Sequence, residues 1–164
     1  MSNRDLETLP GHLIRRLQQI SVALFGSRMA EADIDVTAVQ FAALITLRDH
    51  PGLGQQTLAG MIAYDRVTIG GVIDRLVQKG LVVREISPTD RRARVLALTP
   101  AGQDVLERAN PWIERVQEDI LAGLSPEEQE TFVALLSKLT RAGNELSRAP
   151  LRAVDSGKLP ALED

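Results

Sequence analysis

Apolar residues recur every three or four positions over most of this chain, and that spacing predicts amphipathic helices. Six helices are expected in this way, over about residues 9–30, 37–50, 54–63, 65–79, 100–121 and 125–147. Ser125, Pro126 and two glutamates form a typical helix start, with a cap, a proline at the first position and acidic residues in the first turn. Pro111 lies inside the fifth helix, so we expect a kink or a new start there.

Two short runs rich in β-branched residues interrupt the helical pattern. Turn residues bound Val82–Ile86 and Arg94–Leu98, so the two runs are predicted to pair as a β-hairpin. The tip of this hairpin contains Asp90, Arg91 and Arg92. Such a basic tip is typical of a wing that reaches a nucleic-acid backbone or minor groove, although an isolated basic turn would more often be an ordinary solvated hairpin.

The residues before the hairpin favour the nucleic-acid interpretation. Asp65 is a good N-cap for the fourth helix, and Gly80 is a good residue for its end. Together with the short helix over 54–63, this predicts a helix-turn-helix whose second helix would enter the major groove. The face opposite its apolar stripe contains Arg66, Val67, Thr68, Gly70, Gly71, Asp74 and Arg75. The two adjacent glycines permit either close packing against a neighbouring helix or a close approach to DNA.

These elements predict a mainly α fold with a small β-hairpin wing, in which dimerisation helices flank a winged helix-turn-helix. We expect an N-terminal dimerisation helix in residues 1–35, a DNA-binding domain in 36–99 and C-terminal dimerisation helices in 100–148. The tail over 149–164 has no clear pattern, and we expect it to be mobile or an extra arm.

The distribution of charge agrees with DNA binding, although the net charge of the chain is −3. Residues 64–94 contain seven basic and four acidic side chains, whereas residues 100–148 contain five basic and nine acidic ones. A basic DNA-binding region on an acidic body favours operator binding over indiscriminate attachment to DNA.

Composition argues against an enzyme or a metalloprotein. The chain has no cysteine, and its two histidines, His12 and His50, lack the spacing of a metal site. We expect no cofactor, no metal and no catalytic residue. No apolar run approaches the length of a membrane span and the first residues lack a signal-peptide core, so we expect a cytoplasmic protein.

The order and spacing of several blocks resemble the MarR (multiple antibiotic resistance regulator) family over about residues 10–148. These blocks are the helix-turn-helix, the segments 74–82 and 90–93, and Leu98-Thr99-Pro100-Ala101-Gly102. The resemblance implies a winged-helix homodimer that binds a pseudo-palindromic operator and is released by a small ligand. It also implies that Asp90 orients the wing and that Arg92 enters the minor groove.

The expected function is therefore that of a ligand-responsive repressor that binds double-stranded DNA. Base edges would be approached by Arg66, Val67, Thr68, Gly70 and Gly71, phosphates by Gln55, Gln56, Thr57 and Arg75, and the minor groove by Arg91 and Arg92. The resemblance implies an aromatic or phenolic acid, or its coenzyme A thioester, as effector. Candidate residues for such a ligand are His12, Arg15, Arg16, Phe41 and Tyr64, although residues of these types more often have an ordinary surface or core role.

Two alternatives remain open from the sequence. The chain could bind DNA constitutively, without an effector and even as an activator, or the winged helix could serve only as a protein-interaction module.

Overall fold

The computed structural model describes residues 6–153 and shows six α-helices and one antiparallel hairpin within them. The elements are α1 (Pro10–Glu31), α2 (Ala38–Asp49), α3 (Gln55–Met61), α4 (Arg66–Gln78), β1 (Val82–Ile86), β2 (Arg94–Leu98), α5 (Pro100–Leu121) and α6 (Pro126–Ala142). Short 3-10 turns precede α1 and follow α6. The predicted mainly α fold with a β-hairpin wing is confirmed.

Local capping explains why several helices begin where the sequence predicts. Thr37 and Gln40 form a capping box at α2, in which each side chain accepts a hydrogen bond from the backbone N–H of the other. Ser125 and Glu128 do the same at α6. These bonds satisfy N–H groups that no helical carbonyl can reach, and they depend only on residues close together in sequence.

The hairpin has the predicted bounds, and its register pairs Val82 with Leu98 and Ile86 with Arg94. An isolated bridge between Leu53 and Leu96 attaches β2 to the loop before α3. The wing is therefore joined to the helix-turn-helix by backbone hydrogen bonds.

One aliphatic core unites the helix-turn-helix with α1, α2 and α5. The α4 stripe of Ile69, Val72, Ile73 and Leu76 is buried in it, as the spacing predicts. Phe25 and Met29 of α1 and Leu106, Ala109 and Val116 of α5 belong to the same core. The inner face of α4 is thus fixed, and its opposite face is free for a partner.

The structure corrects two details of the sequence prediction. α5 continues through Pro111 from Pro100 to Leu121, so a new start at Pro111 is wrong. α6 ends at Ala142 rather than near residue 147, because the chain leaves the helix at Gly143 and Asn144 hydrogen-bonds to Leu151 instead. Of the predicted tail, residues 154–164 lie outside the described residues, as do residues 1–5 at the other end.

The outer helices leave many apolar side chains uncovered within this one chain. The first half of α1 exposes Leu13, Ile14 and Ile20, and only Phe25 and Met29 of that helix are buried. α6 has no buried residue at all within the described chain. None of the helices between residues 6 and 153 is long and apolar enough to cross a membrane.

Candidate nucleic-acid interface

The start of α4 is organised by Asp65. Its carboxylate accepts hydrogen bonds from the backbone N–H of Val67 at 3.1 Å and of Thr68 at 2.9 Å, and from the Thr68 hydroxyl at 2.7 Å. The bonds from Thr68 are the main reason why the pKa of Asp65 lies below its usual value. Because the Thr68 hydroxyl donates to Asp65, it remains available to DNA only as an acceptor, beside its methyl group.

The first turn of α4 presents side chains that the protein itself does not cover. Arg66, Val67 and Thr68 are all exposed, and Val67 retains 88% of its accessible surface. A large apolar side chain at that exposure contributes little to the core of a single chain. Arg75 is exposed farther along the same helix.

The structure bears on the two interpretations of the paired glycines. A β-carbon at Gly71 would have no atom within 4 Å, and one at Gly70 would make an ordinary contact with Gln55 Nε2 at 3.5 Å. Packing within the chain therefore does not require glycine at position 71. The surface at Gly71 is open to an approaching partner.

Three of the four residues expected to contact phosphates lie together in the first turn of α3. Gln56 and Thr57 are exposed, whereas Gln55 is half-buried beside Gly70. The turn that joins α3 to α4 contains Ala63 at a φ of 54°, in the left-handed region.

The wing tip is shaped by Asp90 and Ser87. The Asp90 carboxylate accepts a hydrogen bond from the backbone N–H of Arg92 at 2.9 Å, and the Asp90 carbonyl accepts one from Ala93 at 2.9 Å. The buried Ser87 hydroxyl accepts from the N–H groups of Thr89 and Asp90, both at 3.3 Å. Arg91 and Arg92 are exposed, and neither forms an ion pair within residues 6–153. Asp90 thus holds the turn from which both arginines extend.

The sequence does not predict two ion pairs that fix α4 to the elements around it. Arg84 of β1 pairs with Asp74 of α4 at 2.6 Å. Lys79, just after α4, pairs with Asp35 at 2.8 Å and so joins α4 to the segment before α2. Charge opposition between residues 74 and 84 was the available signal, but sequence alone does not show which carboxylate an arginine faces.

The Thr99–Gly102 block joins the wing to α5. The Thr99 hydroxyl accepts from the Gly102 N–H at 3.0 Å and donates to the Gly80 carbonyl at 2.7 Å. A β-carbon at Gly102 would lie 2.3 Å from the Leu81 carbonyl oxygen. α5 therefore begins in direct contact with Gly80 and Leu81, which join α4 to β1.

The five candidate ligand residues occupy different environments. Arg15 hydrogen-bonds to Gln19 at 2.8 Å, Phe41 packs in the core with its ring centroid 6.0 Å from that of Phe25, and Tyr64 is exposed in the helix-turn-helix turn. His12 is half-buried, and of the five only Arg16 lines the groove described next. The structure therefore gives Phe41 a core role.

An apolar groove of about 510 Å³ lies between α1 and α6. It is lined by Pro10, Leu13, Ile14, Arg16, Leu17, Ile20, Phe132, Leu135, Leu136 and Leu139. The described residues contain no group of three or more histidine or acidic side chains placed to hold a metal ion.

Comparison with known proteins agrees with this geometry. Residues 36–93 match the model of the MarR family, a range that covers α2 through the wing tip. The HTH-type transcriptional repressor NicR of Pseudomonas putida is 32% identical over 135 residues, which are 82% of this chain and 84% of NicR.

Two solved structures are similar over most of their length. The PcaV transcriptional regulator from Streptomyces coelicolor, in complex with its natural ligand, has a TM-score of 0.77 and 36% identity, covering 87% of this chain and 99% of PcaV. Bordetella bronchiseptica BpsR, whose DNA binding is regulated by 6-hydroxynicotinic acid, has a TM-score of 0.78 and 33% identity, covering 85% of this chain and 98% of BpsR. The chain described here belongs to the MarR family and is a transcriptional regulator rather than an enzyme.

Proposed function

We propose that the protein is a ligand-responsive transcriptional repressor that binds a pseudo-palindromic operator as a homodimer. The observation that supports this best is that the exposed start of α4, the second helix of the helix-turn-helix and here the recognition helix, occurs together with an arginine-tipped wing. Both belong to one packed unit, since Asp74–Arg84 and the Thr99 contacts tie α4, the wing and α5 together. A fixed distance between helix and wing is what simultaneous contact with a major and a minor groove requires.

Within this proposal the exposed residues divide by the part of DNA that they meet. Arg66, Val67 and Thr68 would approach base edges, with Gly70 and Gly71 allowing the helix backbone to come close. Gln55, Gln56, Thr57 and Arg75 would hold phosphates and set the register of the helix. Arg91 and Arg92 would reach the minor groove from the turn that Asp90 holds.

We propose that a second copy of this chain covers the exposed faces of α1 and α6. A symmetric operator needs two winged helices about one DNA turn apart, and a dimer supplies them. In this view residues 1–35 and 100–148 provide the dimer helices and residues 36–99 the DNA-binding domain. One core joins α1 and α5 to α4 within a chain, so a movement of α1 or α5 would be transmitted to α4.

The proposed effector is an aromatic or phenolic acid, or its coenzyme A thioester. Support comes from BpsR, whose DNA binding is regulated by 6-hydroxynicotinic acid, and from PcaV, which was solved in complex with its natural ligand. Arg15 and Arg16 on α1 are exposed cations that could neutralise the carboxylate of such a ligand.

Fluorescence anisotropy against the DNA that flanks the protein's own gene tests the proposal. Arg92→Ala should weaken operator binding by roughly tenfold or more because a charged minor-groove contact is lost. Its matched control is Arg141→Ala, which removes an exposed arginine on α6 that only hydrogen-bonds to Ser137. Unchanged affinity in Arg92→Ala, with wild-type melting behaviour, would remove the wing from the mechanism.

The same assay examines the effector. Addition of 6-hydroxynicotinate and of other aromatic acids and thioesters should release the labelled operator. If no compound changes DNA affinity or melting temperature, the ligand-responsive part of the proposal is wrong while the DNA-binding part stands.

A further inference from the structure

The segment after α6 turns back and lies against the helix-turn-helix. Both polar atoms of the Asn144 side-chain amide hold Leu151, since Oδ1 accepts from its N–H at 2.8 Å and Nδ2 donates to its carbonyl at 3.2 Å. The backbone N–H of Arg152 then donates to the carbonyl of Gly60 in α3 at 2.8 Å. We call residues 143–152 the C-terminal strap.

Two further contacts fix the strap. The Arg152 guanidinium makes a two-pronged pair with Glu145, at 2.8 and 3.0 Å. Gly60 permits the close approach, because a β-carbon there would lie 3.2 Å from the β-carbon of Arg152. The two ends of the strap are therefore bonded to each other, and its second end is bonded to α3.

This path brings Arg148 beside the start of the recognition helix. Ser147 and Ala149, its neighbours in sequence, line the same cavity as Ala63, which is two residues before Asp65. Arg148 is exposed, and its charge adds to the hydrogen bonds from Thr68 in lowering the pKa of Asp65. No ion pair within the described residues engages the Arg148 guanidinium.

The stability of α4 does not account for a cation at this place. The N-terminus of a helix carries a partial positive charge, so a nearby arginine is unfavourable there unless an anion offsets it. Asp65 offsets one charge, yet Arg66 and Arg148 bring two. An external anion next to the recognition helix would balance the excess.

We propose that Arg148 contacts a phosphate of the DNA backbone beside the recognition helix, which makes the C-terminal strap an additional DNA-binding arm. This inference rests on the proposed function, since the DNA must lie along α4. A contact of this kind positions the protein without specifying sequence, so its loss weakens binding to all DNA alike and lowers the salt dependence of binding.

The experiment compares Arg148→Ala with Arg141→Ala in the full chain. The affinity for the operator and for a scrambled duplex is measured by anisotropy from 50 to about 300 mM salt. We expect Arg148→Ala to weaken binding to both duplexes by about three- to tenfold and to reduce the slope of log affinity against log salt by about one. Arg141→Ala should retain the wild-type slope, and Arg148→Lys should restore most of it.

The outcomes separate this inference from the proposed function. A wild-type affinity and slope in Arg148→Ala, while Arg92→Ala loses binding, would overturn the arm alone. An equal loss of DNA affinity in Arg141→Ala would show an effect of net charge and would overturn the phosphate assignment. A loss of affinity confined to the operator in Arg148→Ala would show a base contact and would overturn it as well. Absence of salt-dependent binding by the wild-type chain would overturn both proposals. Melting temperatures of all variants exclude unfolding as the cause.

Discussion

A β-carbon at Gly102 would lie 2.3 Å from the Leu81 carbonyl oxygen and 2.7 Å from a methyl group of Leu98. A side chain at position 102 would therefore displace Leu81, which joins α4 to β1. At Gly71, by contrast, a β-carbon would meet no atom of the chain within 4 Å. The same residue type therefore serves internal packing at one position and leaves an outer surface open at the other.

The two alanine substitutions should consequently have opposite effects on stability. Gly102→Ala should lower the free energy of unfolding by about 1–3 kcal/mol through overpacking. Gly71→Ala should raise it by about 0.5–1 kcal/mol, since alanine is the better helix former and nothing obstructs its methyl group. Urea unfolding followed by circular dichroism measures both.

Operator binding gives the second half of this prediction. If the backbone at Gly71 approaches DNA closely, Gly71→Ala should bind the operator more weakly despite its greater stability. A stabilised variant with unchanged affinity would show that the glycine has no role at the DNA surface.

At the scale of elements, α4 depends on the Asp65 cap. Hydrogen bonds from Thr68 hold the pKa of Asp65 below its usual value, so the folded state favours the ionised carboxylate more than the unfolded chain does. This contribution is complete above the unfolded pKa, near 4, and is lost as the pH falls through the lower folded pKa.

Asp65→Asn keeps the capping geometry but removes the charge, because asparagine is about as good an N-cap as aspartate. We expect the variant to be less stable than the wild type at pH 7 and the gap to close as the pH falls below about 4. Denaturant unfolding at intervals between pH 7 and pH 3 measures the gap. A difference that stays constant across this range would contradict the assigned role of the charge.

Elements whose ends depend on neighbouring residues were predictable from the sequence. The starts of α2, α4 and α6 follow from Thr37, Asp65 and Ser125, whose side chains bond to backbone two or three residues away. The strand bounds followed from the β-branched runs in the same way. The end of α6 was missed because Asn144 bonds to Leu151, a partner seven residues away that no cap pattern shows.

The candidate site was predictable to a similar depth. Exposure of the α4 start and of the wing tip followed from the polar face of one helix and the turn of one hairpin. The pairing of Asp74 with Arg84 and the path of the C-terminal strap depend on the tertiary fold. The sequence did not predict which of the candidate ligand residues lie together. Phe41 lies in the core, and Arg16 lines a groove that helix periodicity does not reveal.

At the scale of the whole molecule, the described part of the chain leaves the apolar side chains between α1 and α6 uncovered. Leucines 135, 136 and 139 of α6 are exposed opposite Leu13, Ile14 and Ile20 of α1, and together they line one groove. Exposed apolar surface on this scale marks an interaction site. A second copy that inserts its own helices would bury it, and a stable dimer typically buries about 1,200–2,000 Å² in total.

Leu139→Asp should therefore separate the protomers, since it places a charge in the middle of the proposed contact at a side chain that is 66% exposed in one chain. Analytical ultracentrifugation should give about twice 17.9 kDa for the wild type and 17.9 kDa for the variant, with helical circular dichroism retained. Operator affinity should fall by roughly a hundredfold or more, because two linked half-site contacts become one. Leu146→Asp is the matched control for assembly: Leu146 is 90% exposed but does not line the groove, so this variant should remain dimeric. A Leu139→Asp variant that remains dimeric with full operator affinity would place the protomer contact elsewhere. Dissociation of both variants would attribute the loss of assembly to added charge rather than to the groove.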